Sequence, residues 1–381
     1  MRIALVTKRT DPKVGGAEKY TFDLAQRLER EGHDVSVLAA TPDHVPVGTT
    51  PVKLSAGGLT RLRRYDRLLA SLDEHLDATP YDIVHAMLPV HRCDVYHPHA
   101  GLARAMAAGD KPSERVLNPR RDRRAAVEGT LLDSPNAPVV LCLSEYVRAS
   151  VRAWYALDDA HLPILFNAVD THVYDPAARP DARAATRARL QLGPDDCVAL
   201  FVGQDLERKG LREAVLAMQA FRENPRMRLV IVGRPSAREY LGLADRIGVR
   251  DRVIKAPYSA DVYAFYQAAD FLVLPTKHDP CSLVVLEALA MGLPVISTRF
   301  NGACEIMSEG VHGHVLDDPA DVPRLSLAME TMLDDGTRRR MSEACVALRP
   351  KLEYDQHVRT LAAIYDRVLS ARGDTADRYT S

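Results

Sequence analysis

Two acidic residues separated by seven others, Asp279 and Glu287, stand at a predicted junction between a loop and a helix. Asp279 follows an apolar run at 271–275, and Glu287 lies inside the predicted helix 282–291. Because a carboxylate repels phosphate, we expect both acids to accept hydrogen bonds from neutral hydroxyl groups. The free N–H groups of the first helical turn suit an anionic oxygen instead. The stretch therefore indicates a ligand with both a diol and a phosphate. As an alternative, Asp279 is simply the N-cap of the helix.

Two adjacent cations, Arg208 and Lys209, follow a predicted strand at 197–202 and the glycine Gly203. Parallel strands present their carboxyl ends at one edge of the sheet, so we expect these cations beside Asp279. Cations at this position would stabilise the negative charge that grows on a leaving diphosphate. Gly203 and Gly233, each at the end of a strand, would let a ligand lie against the backbone. Adjacent basic residues are also common on surfaces without any function.

The elements that must position these residues alternate strand and helix through both halves of the chain. This alternation predicts an α/β protein with two Rossmann-like, doubly wound parallel sheets. We expect an N-terminal domain at 1–170, a second domain at 171–352, and a C-terminal segment at 353–381 with an amphipathic helix at 354–370. The predicted strands lie at 2–7, 34–39, 81–87, 139–143, 197–202, 228–232, 253–256, 271–274 and 295–298.

Composition excludes several classes of protein. The chain has 381 residues with 50 basic and 51 acidic side chains, so its net charge of −1 gives no reason to expect a nucleic-acid partner. The six cysteines include no C-x-x-C pair, which argues against a zinc site or a disulfide framework and suits a reducing compartment. Met1 leads directly into a strand, and no run approaches the roughly 20 apolar residues of a membrane helix. We therefore expect a soluble, cytoplasmic protein.

The first half offers two further candidates. Gly15 and Gly16 precede the first predicted helix, where they would let backbone approach a ligand, although a plain flexible turn is the alternative. Because the spacing is not G-x-G-x-x-G, a dinucleotide dehydrogenase is disfavoured. His97 and His99 follow a predicted strand that ends at Tyr96, either as ordinary loop residues or at the ligand edge.

These segments together resemble the retaining glycosyltransferases of family four, which have the GT-B fold of two Rossmann-like domains facing a central cleft. The resemblance rests on Asp279-x7-Glu287, on Arg208-Lys209-Gly210, on Gly15-Gly16-Ala17-Glu18 and on the loop 301–305. Most members have Glu where this chain has Asp279, and Phe-Gly where it has Cys281-Ser282. The segment 94–101 is similar to enzymes that build the lipopolysaccharide core.

The resemblance implies transfer of a hexose from a nucleotide-diphosphate sugar, with a UDP-sugar favoured, to a hydroxyl of an envelope saccharide or glycolipid. It implies that Arg208 and Lys209 bind the diphosphate, that Glu287 binds the ribose, and that His99, rather than His97, lies at the reacting face. The donor sugar would meet Asp279 and the residues after it, Cys281, Ser282 and Leu283. The diphosphate cations would make a metal or other cofactor unnecessary, and the base would lie near 254–258.

Basic residues are concentrated in the first half, at Arg61, Arg63, Arg64 and Arg67, and again between 111 and 124. They form either a solvated surface or a surface complementary to an anionic membrane, which would place the protein peripherally on the inner face of the cytoplasmic membrane. Two alternatives to transfer stay open: a GT-B sugar-nucleotide epimerase, and a catalytically silent sugar-nucleotide-binding protein in which Asp279 is the disabling change.

Overall fold

Every strand of the described chain belongs to one of two parallel sheets. The structure is a computed structural model that describes residues 1–109, 118–259 and 261–378. The chain divides into two compact units, Met1–Phe166 with His357–Ser381, and Asn167–Gln356. Two parallel six-stranded sheets confirm the predicted pair of Rossmann-like, doubly wound domains.

The first unit contains a six-stranded sheet in the order β3-β2-β1-β4-β5-β6. Its strands are β1 Arg2–Val6, β2 Asp34–Ala39, β3 Thr50–Lys53, β4 Ile83–Ala86, β5 Val95–Tyr96 and β6 Val139–Val140. Ile3 pairs with Val35 on one side and Ile83 on the other, and all three are fully buried. A strand covered on both faces needs a continuous apolar run, which explains the sequence Ile-Ala-Leu-Val of β1.

Within the described residues before 155, five helices accompany this sheet: α1 Gly16–Arg30, α2 Arg61–Ala78, α3 Ala103–Ala108, α4 Pro119–Leu132 and α5 Glu145–Trp154. Helix α4 carries the predicted basic residues from Arg120 to Arg124, whereas Lys111 and Arg115 lie outside the described residues. Ser144 caps α5 by accepting a hydrogen bond from the Val147 N–H at 3.2 Å.

The second unit has the same architecture, with the strand order β12-β11-β10-β7-β8-β9. Its strands are β7 Cys197–Val202, β8 Met227–Val232, β9 Val253–Lys255, β10 Phe271–Val273, β11 Val295–Thr298 and β12 Gly313–Leu316. Its helices are α6 Ala182–Arg189, α7 Leu211–Ala217, α8 Arg238–Arg246, α9 Tyr263–Ala268, α10 Leu283–Ala290, α11 Val322–Thr331, α12 Asp335–Ala347 and α13 Arg349–Leu352. The last helix, α14, spans Tyr354–Arg378 and so continues past its predicted end at residue 370.

One predicted strand was too long by three residues, and two strands were not predicted. The strand expected at 139–143 is only Val139–Val140, after which Cys142 makes an isolated bridge to Ile164. The edge strands β3 and β12 were missed, because β3 is short and mostly exposed and β12 has only four residues. Edge strands lack the continuous apolar run that identified the central ones. No helix among the described residues has the length and apolar character needed to cross a membrane.

Candidate active site

The strongest candidate site lies at the carboxyl edge of the second sheet, where the loop after β7 meets the Asp279 loop (residues 276–281) after β10. The Lys277 N–H donates to the Arg208 carbonyl at 2.8 Å, and the Thr276 hydroxyl donates to the same oxygen at 3.1 Å. Gly210 starts α7 with a φ of +82°, and a Cβ there would collide with the Pro275 carbonyl. The two loops are therefore joined through backbone contacts that only glycine at 210 permits.

Lys209 and Asp279 form a buried ion pair at this junction. Each is 8% exposed, and the Lys209 ammonium contacts the Asp279 carboxylate and lies 3.3 Å from the Ser282 hydroxyl. Burial acts to raise the pKa of Asp279, but the Lys209 ammonium, its hydrogen bond and the Arg208 guanidinium outweigh burial and lower that pKa below its ordinary value. Asp279 is therefore ionised at neutral pH, and it neutralises part of the charge of the predicted diphosphate site.

Arg208 lies beside this pair with a more exposed side chain. Its guanidinium is 3.1 Å from the Asp205 carboxylate and 3.8 Å from the Asp279 carboxylate, and it also donates to the His278 carbonyl. The structure thus brings together Arg208, Lys209 and Asp279, as the sequence predicted from strand order. Two cations and a single buried carboxylate leave this edge able to accept an anionic group.

Asp279 is held by the segment that follows β11 rather than by helix α10. Its N–H donates to the Phe300 carbonyl at 2.8 Å, and its own carbonyl accepts from the Gly302 N–H at 2.9 Å. The N-cap of α10 is Ser282, which makes no side-chain cap hydrogen bond. The alternative that Asp279 is merely an N-cap is therefore wrong.

The buried side chain of Asn301 organises the start of α10. Its amide oxygen accepts from the N–H groups of Ser282 and Ala303, each at 3.2 Å. One N–H of the predicted anion site is therefore already occupied. Cys281 is also buried, and its carbonyl accepts from the Asn167 amide at 2.8 Å, while Leu283 is partly exposed.

Glu287 lies inside α10 and is 6% exposed. Its carboxylate accepts a hydrogen bond from the Tyr266 hydroxyl at 2.8 Å. Burial, and then the negative charge of Glu287, raise the pKa of Tyr266 well above its ordinary value, so Tyr266 stays a donor. A carboxylate oriented by one tyrosine is a suitable acceptor for hydroxyl groups.

The predicted glycines of the second unit have a structural role that the sequence did not reveal. A Cβ at Gly233 would collide with the Gly203 carbonyl, and a Cβ at Gly203 would lie 3.3 Å from the Lys209 side chain. The Gly203 N–H donates to the Val232 carbonyl at 3.0 Å. Both glycines therefore allow the ends of β7 and β8 and the Lys209 side chain to pack closely, and a role in ligand approach stays a prediction.

A cavity of about 730 Å³ opens at the ends of β8 and β9, lined by Gly233 and by the predicted base region. The Arg234 guanidinium lies 4.7 Å from the centre of the Tyr258 ring and donates to its hydroxyl at 2.9 Å. The Lys255 ammonium donates to the carbonyls of Gly233 at 2.7 Å and Ala256 at 2.9 Å. This cavity offers an aromatic face and polar groups to a flat ligand.

In the first unit, Gly15 is the N-cap of α1 with a φ of −171°, and Gly16 is the first helical residue. Neither glycine has a positive φ, so the backbone conformation does not require glycine at either position. Glu18, which follows them, forms an ion pair of 2.6 Å with Arg9. The expected ligand approach at this loop stays a prediction.

His99 follows β5 in a tight turn, in which its N–H donates to the His97 carbonyl at 2.7 Å. The His99 ring is half-buried, with its centre 5.0 Å from the Tyr20 ring and 5.2 Å from the His97 ring. His97 itself is 1% exposed. Of the two histidines, His99 is thus the one that an incoming ligand can reach.

Behind His99 lies a buried histidine–tyrosine network formed by Tyr20, His85, His97, His357 and Tyr365. His357 Nδ1 faces the Phe166 carbonyl at 2.9 Å, which only accepts, so the proton of neutral His357 is on Nδ1. His357 Nε2 therefore accepts from the Tyr20 hydroxyl at 2.8 Å. His85 contacts the Tyr365 hydroxyl at 2.7 Å and His97 Nδ1 at 3.3 Å.

Burial keeps the histidines of this network neutral. Burial, and then the neighbouring histidine charges, lower the pKa of His85 to about 3, and burial lowers the pKa of His357 to about 4. The pKa of His97 is also lowered, first by burial and then by His99. The sequence analysis missed His85 and His357, although a histidine inside the apolar strand Ile-Val-His-Ala was a detectable signal.

Among the described residues, no group of three or more His, Cys, Asp or Glu side chains is arranged to hold a metal ion. The six cysteines are free thiols.

Residues 14–173 match the family Glycosyltransferase Family 4, and residues 182–345 match Glycosyl transferases group 1. A D-inositol 3-phosphate glycosyltransferase of Acidothermus cellulolyticus is 29% identical over 98% of this chain and 92% of its own length. The lipopolysaccharide glucosyltransferase WaaG of Escherichia coli is 24% identical over 85% of this chain and 88% of its own.

Solved structures show the same fold. The crystal structure of WaaG aligns with a TM-score of 0.83 at 22% identity, covering 95% of this chain and 99% of that one. The structure of Anabaena Alr3699/HepE in complex with UDP-glucose aligns with a TM-score of 0.69 at 16% identity, covering 98% and 100%.

Proposed function

The chain belongs to the glycosyltransferases of family four with the GT-B fold, and from this premise we propose that it transfers a hexose, with retention, from a nucleotide-diphosphate sugar to an acceptor hydroxyl. The observation that carries the proposal is the convergence of Arg208, Lys209 and Asp279 at one sheet edge. A UDP-sugar is the favoured donor, a choice supported by the UDP-glucose complex of the structurally similar HepE.

In the proposed donor site, different residues of the second unit bind different parts of the donor. Arg208 and Lys209 bind the diphosphate, and Lys209 is kept in place by Asp279 before any ligand enters. Glu287, oriented by Tyr266, accepts hydrogen bonds from the ribose hydroxyls. Asp279 and the residues around Ser282 contact hydroxyls of the sugar. The cavity beside Tyr258 takes the base.

In the proposed reaction the acceptor oxygen attacks the anomeric carbon from the face that the phosphate leaves. The bond from that carbon to the phosphate oxygen breaks as the new glycosidic bond forms, and the acceptor proton moves to the departing phosphate oxygen. The Arg208 and Lys209 charges stabilise the growing negative charge, which is the largest electrostatic contribution to the rate. His99, Gly15 and Gly16 are the residues of the first unit that we propose to take part in the reaction.

The acceptor is proposed to be an envelope saccharide or glycolipid, by likeness to WaaG, whose name describes a lipopolysaccharide glucosyltransferase. The same likeness and the basic residues of α2 and α4 support a position on the inner face of an anionic membrane. No resident cofactor or metal is part of this proposal, because the two cations supply the charge that a divalent ion would otherwise provide.

The test is a transfer assay with UDP-, GDP- and ADP-sugars, with and without saturating EDTA. We expect turnover that EDTA leaves nearly unchanged. Loss of activity in EDTA that magnesium or manganese restores would overturn the metal-independent mechanism. Donor binding is followed separately by thermal unfolding, because a ligand at 100 times its Kd stabilises the fold by about 2.7 kcal/mol.

The two rival functions give different results in the same assay. A sugar-nucleotide epimerase would convert or hydrolyse the donor without any acceptor. A silent binding protein would be stabilised by the donor and yet give no turnover, and replacing Asp279 with Glu would then restore activity.

A further inference from the structure

Four basic residues of the first unit form a group, here called the Lys8 cluster: Lys8, Arg61, Arg120 and Arg124. No salt bridge joins any of them to a carboxylate within the part of the chain that the structure describes. Their neighbours differ in this respect, since Arg9 pairs with Glu18 at 2.6 Å and Arg123 pairs with Asp66 at 2.7 Å. The Glu18 carboxylate, which is paired with Arg9, also acts on Lys8, but it is the weakest of the influences on that group. The cluster is therefore a local excess of positive charge on a chain whose net charge is −1.

The fold concentrates positive charge at this position. Lys8 lies two residues beyond the carboxyl end of β1, at the edge where open parallel sheets bind ligands. Arg120 and Arg124 occupy the first turns of α4, and Arg61 is the first residue of α2. Helix N-termini carry about +0.5 of an elementary charge, so cations there are unfavourable without an anion.

The guanidinium groups of Arg120 and Arg124 are also partly desolvated. The Nε atom of each is buried and makes no hydrogen bond to any described residue. Burial, and then the charge of Arg120, lower the pKa of Lys8, and burial, followed by the charges of Arg124 and Arg61, lowers the pKa of Arg120. Buried donors and mutual repulsion both cost free energy of folding, and an anionic ligand would offset both.

We propose that the Lys8 cluster binds a phosphate-type dianion carried by the glycosyl acceptor. The site would select acceptors that are phosphorylated, because four cations match a double negative charge and arginine binds phosphate oxygens through paired N–H donors. Calling the ligand the acceptor rests on the proposed function, in which Arg208 and Lys209 already hold the donor diphosphate. The buried Nε atoms favour a single group that enters among the side chains over a flat membrane surface.

The first experiment measures binding of inorganic phosphate to the full chain by calorimetry and by thermal unfolding, against NaCl at matched ionic strength. We expect saturable binding and a midpoint that rises by several degrees. The double variant Arg120→Gln/Arg124→Gln should bind phosphate at least tenfold more weakly. Without phosphate, that variant should unfold at the same temperature as the wild type or a higher one, because repulsion has been removed.

Two control variants locate the bound phosphate. Arg67→Gln changes an exposed arginine of the same helix α2 outside the cluster and should bind phosphate like the wild type. Arg208→Ala removes a cation of the donor site and should also retain the response. Loss of phosphate binding in Arg208→Ala with retention in Arg120→Gln/Arg124→Gln would overturn the proposal, as would a wild-type response that NaCl reproduces.

A second experiment distinguishes a soluble phosphate group from a phospholipid headgroup as the ligand. Binding of free phosphate and of soluble sugar phosphates supports the proposal, whereas binding only to vesicles of anionic phospholipid overturns it in favour of a membrane surface. In transfer assays, Arg120→Gln/Arg124→Gln should raise the KM of a phosphorylated acceptor at least tenfold and leave the donor KM unchanged. Saturable phosphate binding in a chain that transfers no sugar from any donor would contradict the proposed function and not this site.

Discussion

In the second unit the two cations of the proposed donor site, Arg208 and Lys209, form salt bridges with carboxylates, whereas the four cations of the Lys8 cluster form none within the described residues. Lys209 is paired with Asp279, and Arg208 lies 3.1 Å from Asp205. A paired cation keeps a fixed geometry in the empty protein, and an unpaired cluster is stabilised only when its ligand arrives. The proposed donor site is thus preorganised, and the repulsion within the proposed acceptor site would be relieved by a bound anion.

The interior of the first unit adds a second contrast. One buried polar network of that unit consists of neutral histidines and tyrosines linked by hydrogen bonds. The buried Glu128 of the same unit accepts hydrogen bonds from two tyrosine hydroxyls and two backbone N–H groups and has no cationic partner among these contacts, while Lys209 and Asp279 of the second unit form a buried ion pair. A neutral network avoids the cost of burying charge but loses stability when acid protonates the unfolded chain. The two units should therefore respond differently to mutation and to pH.

The largest effect is expected from Lys209→Met, which breaks the buried ion pair. Removing one partner of such a pair leaves an uncompensated charge and costs about 3–5 kcal/mol of stability. Loss of a preplaced cation should also lower the rate of transfer by roughly 100-fold or more. Urea unfolding and a transfer assay at saturating donor measure the two effects.

The double variant Lys209→Met/Asp279→Asn separates stability from catalysis. It removes both charges, so most of the stability should return while transfer stays low. If the double variant recovered transfer, the ion pair would have only a structural role. The paired cations of the second unit would then not be needed for the reaction.

Acid should destabilise the first unit before the second. The folded pKa values of His85 and His357 are lowered to about 3 and about 4, while an unfolded histidine titrates near 6.5. Their contribution to stability is therefore present above pH 6.5 and is lost as pH falls toward 4, by up to about 1.4 kcal/mol per pH unit for each group. The lowered pKa of Asp279 also gives stability that is lost as pH falls, but in a lower window, because its contribution is lost only below about pH 4.

The single tryptophan, Trp154 in α5, reports on the first unit alone. Between pH 6.5 and 4 its fluorescence transition in urea should move to lower urea concentrations than the change in helical circular dichroism. His312 of the second unit also has a pKa lowered by burial, so that unit weakens as well, although less. His44→Gln, at an exposed position, is the control that should change nothing. Transitions that coincide at every pH would contradict the prediction.

Sequence reasoning was most successful where function follows from strand order. Arg208 and Asp279 are 71 positions apart in the chain, yet the rule that ligands bind at carboxyl ends placed them together. The central strands were predictable for a similar reason, since strands buried on both faces must be apolar. The short strands β3 and β12 had no such pattern.

Tertiary partners could not be predicted, because they depend on packing between distant segments. Neither the Tyr266 hydroxyl on Glu287 nor the approach of Tyr365 to His85 leaves a local pattern in the sequence. Lys8 was missed because one lysine after a strand is unremarkable until Arg120 and Arg124 are placed beside it. The basic residues of α4 were seen, but sequence alone could not separate the paired Arg123 from the unpaired Arg124.

A smaller effect is expected from Glu287→Gln. This change tests whether the Glu287 carboxylate, oriented by Tyr266, binds the ribose of the donor. A hydrogen bond to a charged acceptor is worth about 1.5–3 kcal/mol, so losing the charge should raise the donor KM by roughly tenfold with the fold intact. The control is Glu213→Gln, which changes another buried carboxylate of this unit, one that lies 3.4 Å from Lys277. An unchanged donor KM in Glu287→Gln would mean that Glu287 serves only to hold Tyr266.

The smallest effect is expected from the exposed arginines of α2. Changing them distinguishes a general basic surface from the specific site proposed at the Lys8 cluster. Arg63, Arg64 and Arg67 are exposed on α2, and each basic side chain near an anionic bilayer gains about 1 kcal/mol. We expect weak co-sedimentation with anionic liposomes that falls by a few-fold when Arg63 and Arg67 become Glu. This attraction is screened over about 10 Å at 0.1 M salt, so binding should decline as salt rises.

Because Lys8, Arg120 and Arg124 are intact in this variant, its phosphate binding should match the wild type. Equal sedimentation with neutral liposomes would show that charge does not drive the association, and no sedimentation with either would remove the membrane from the proposed function while leaving the Lys8 cluster to its own test.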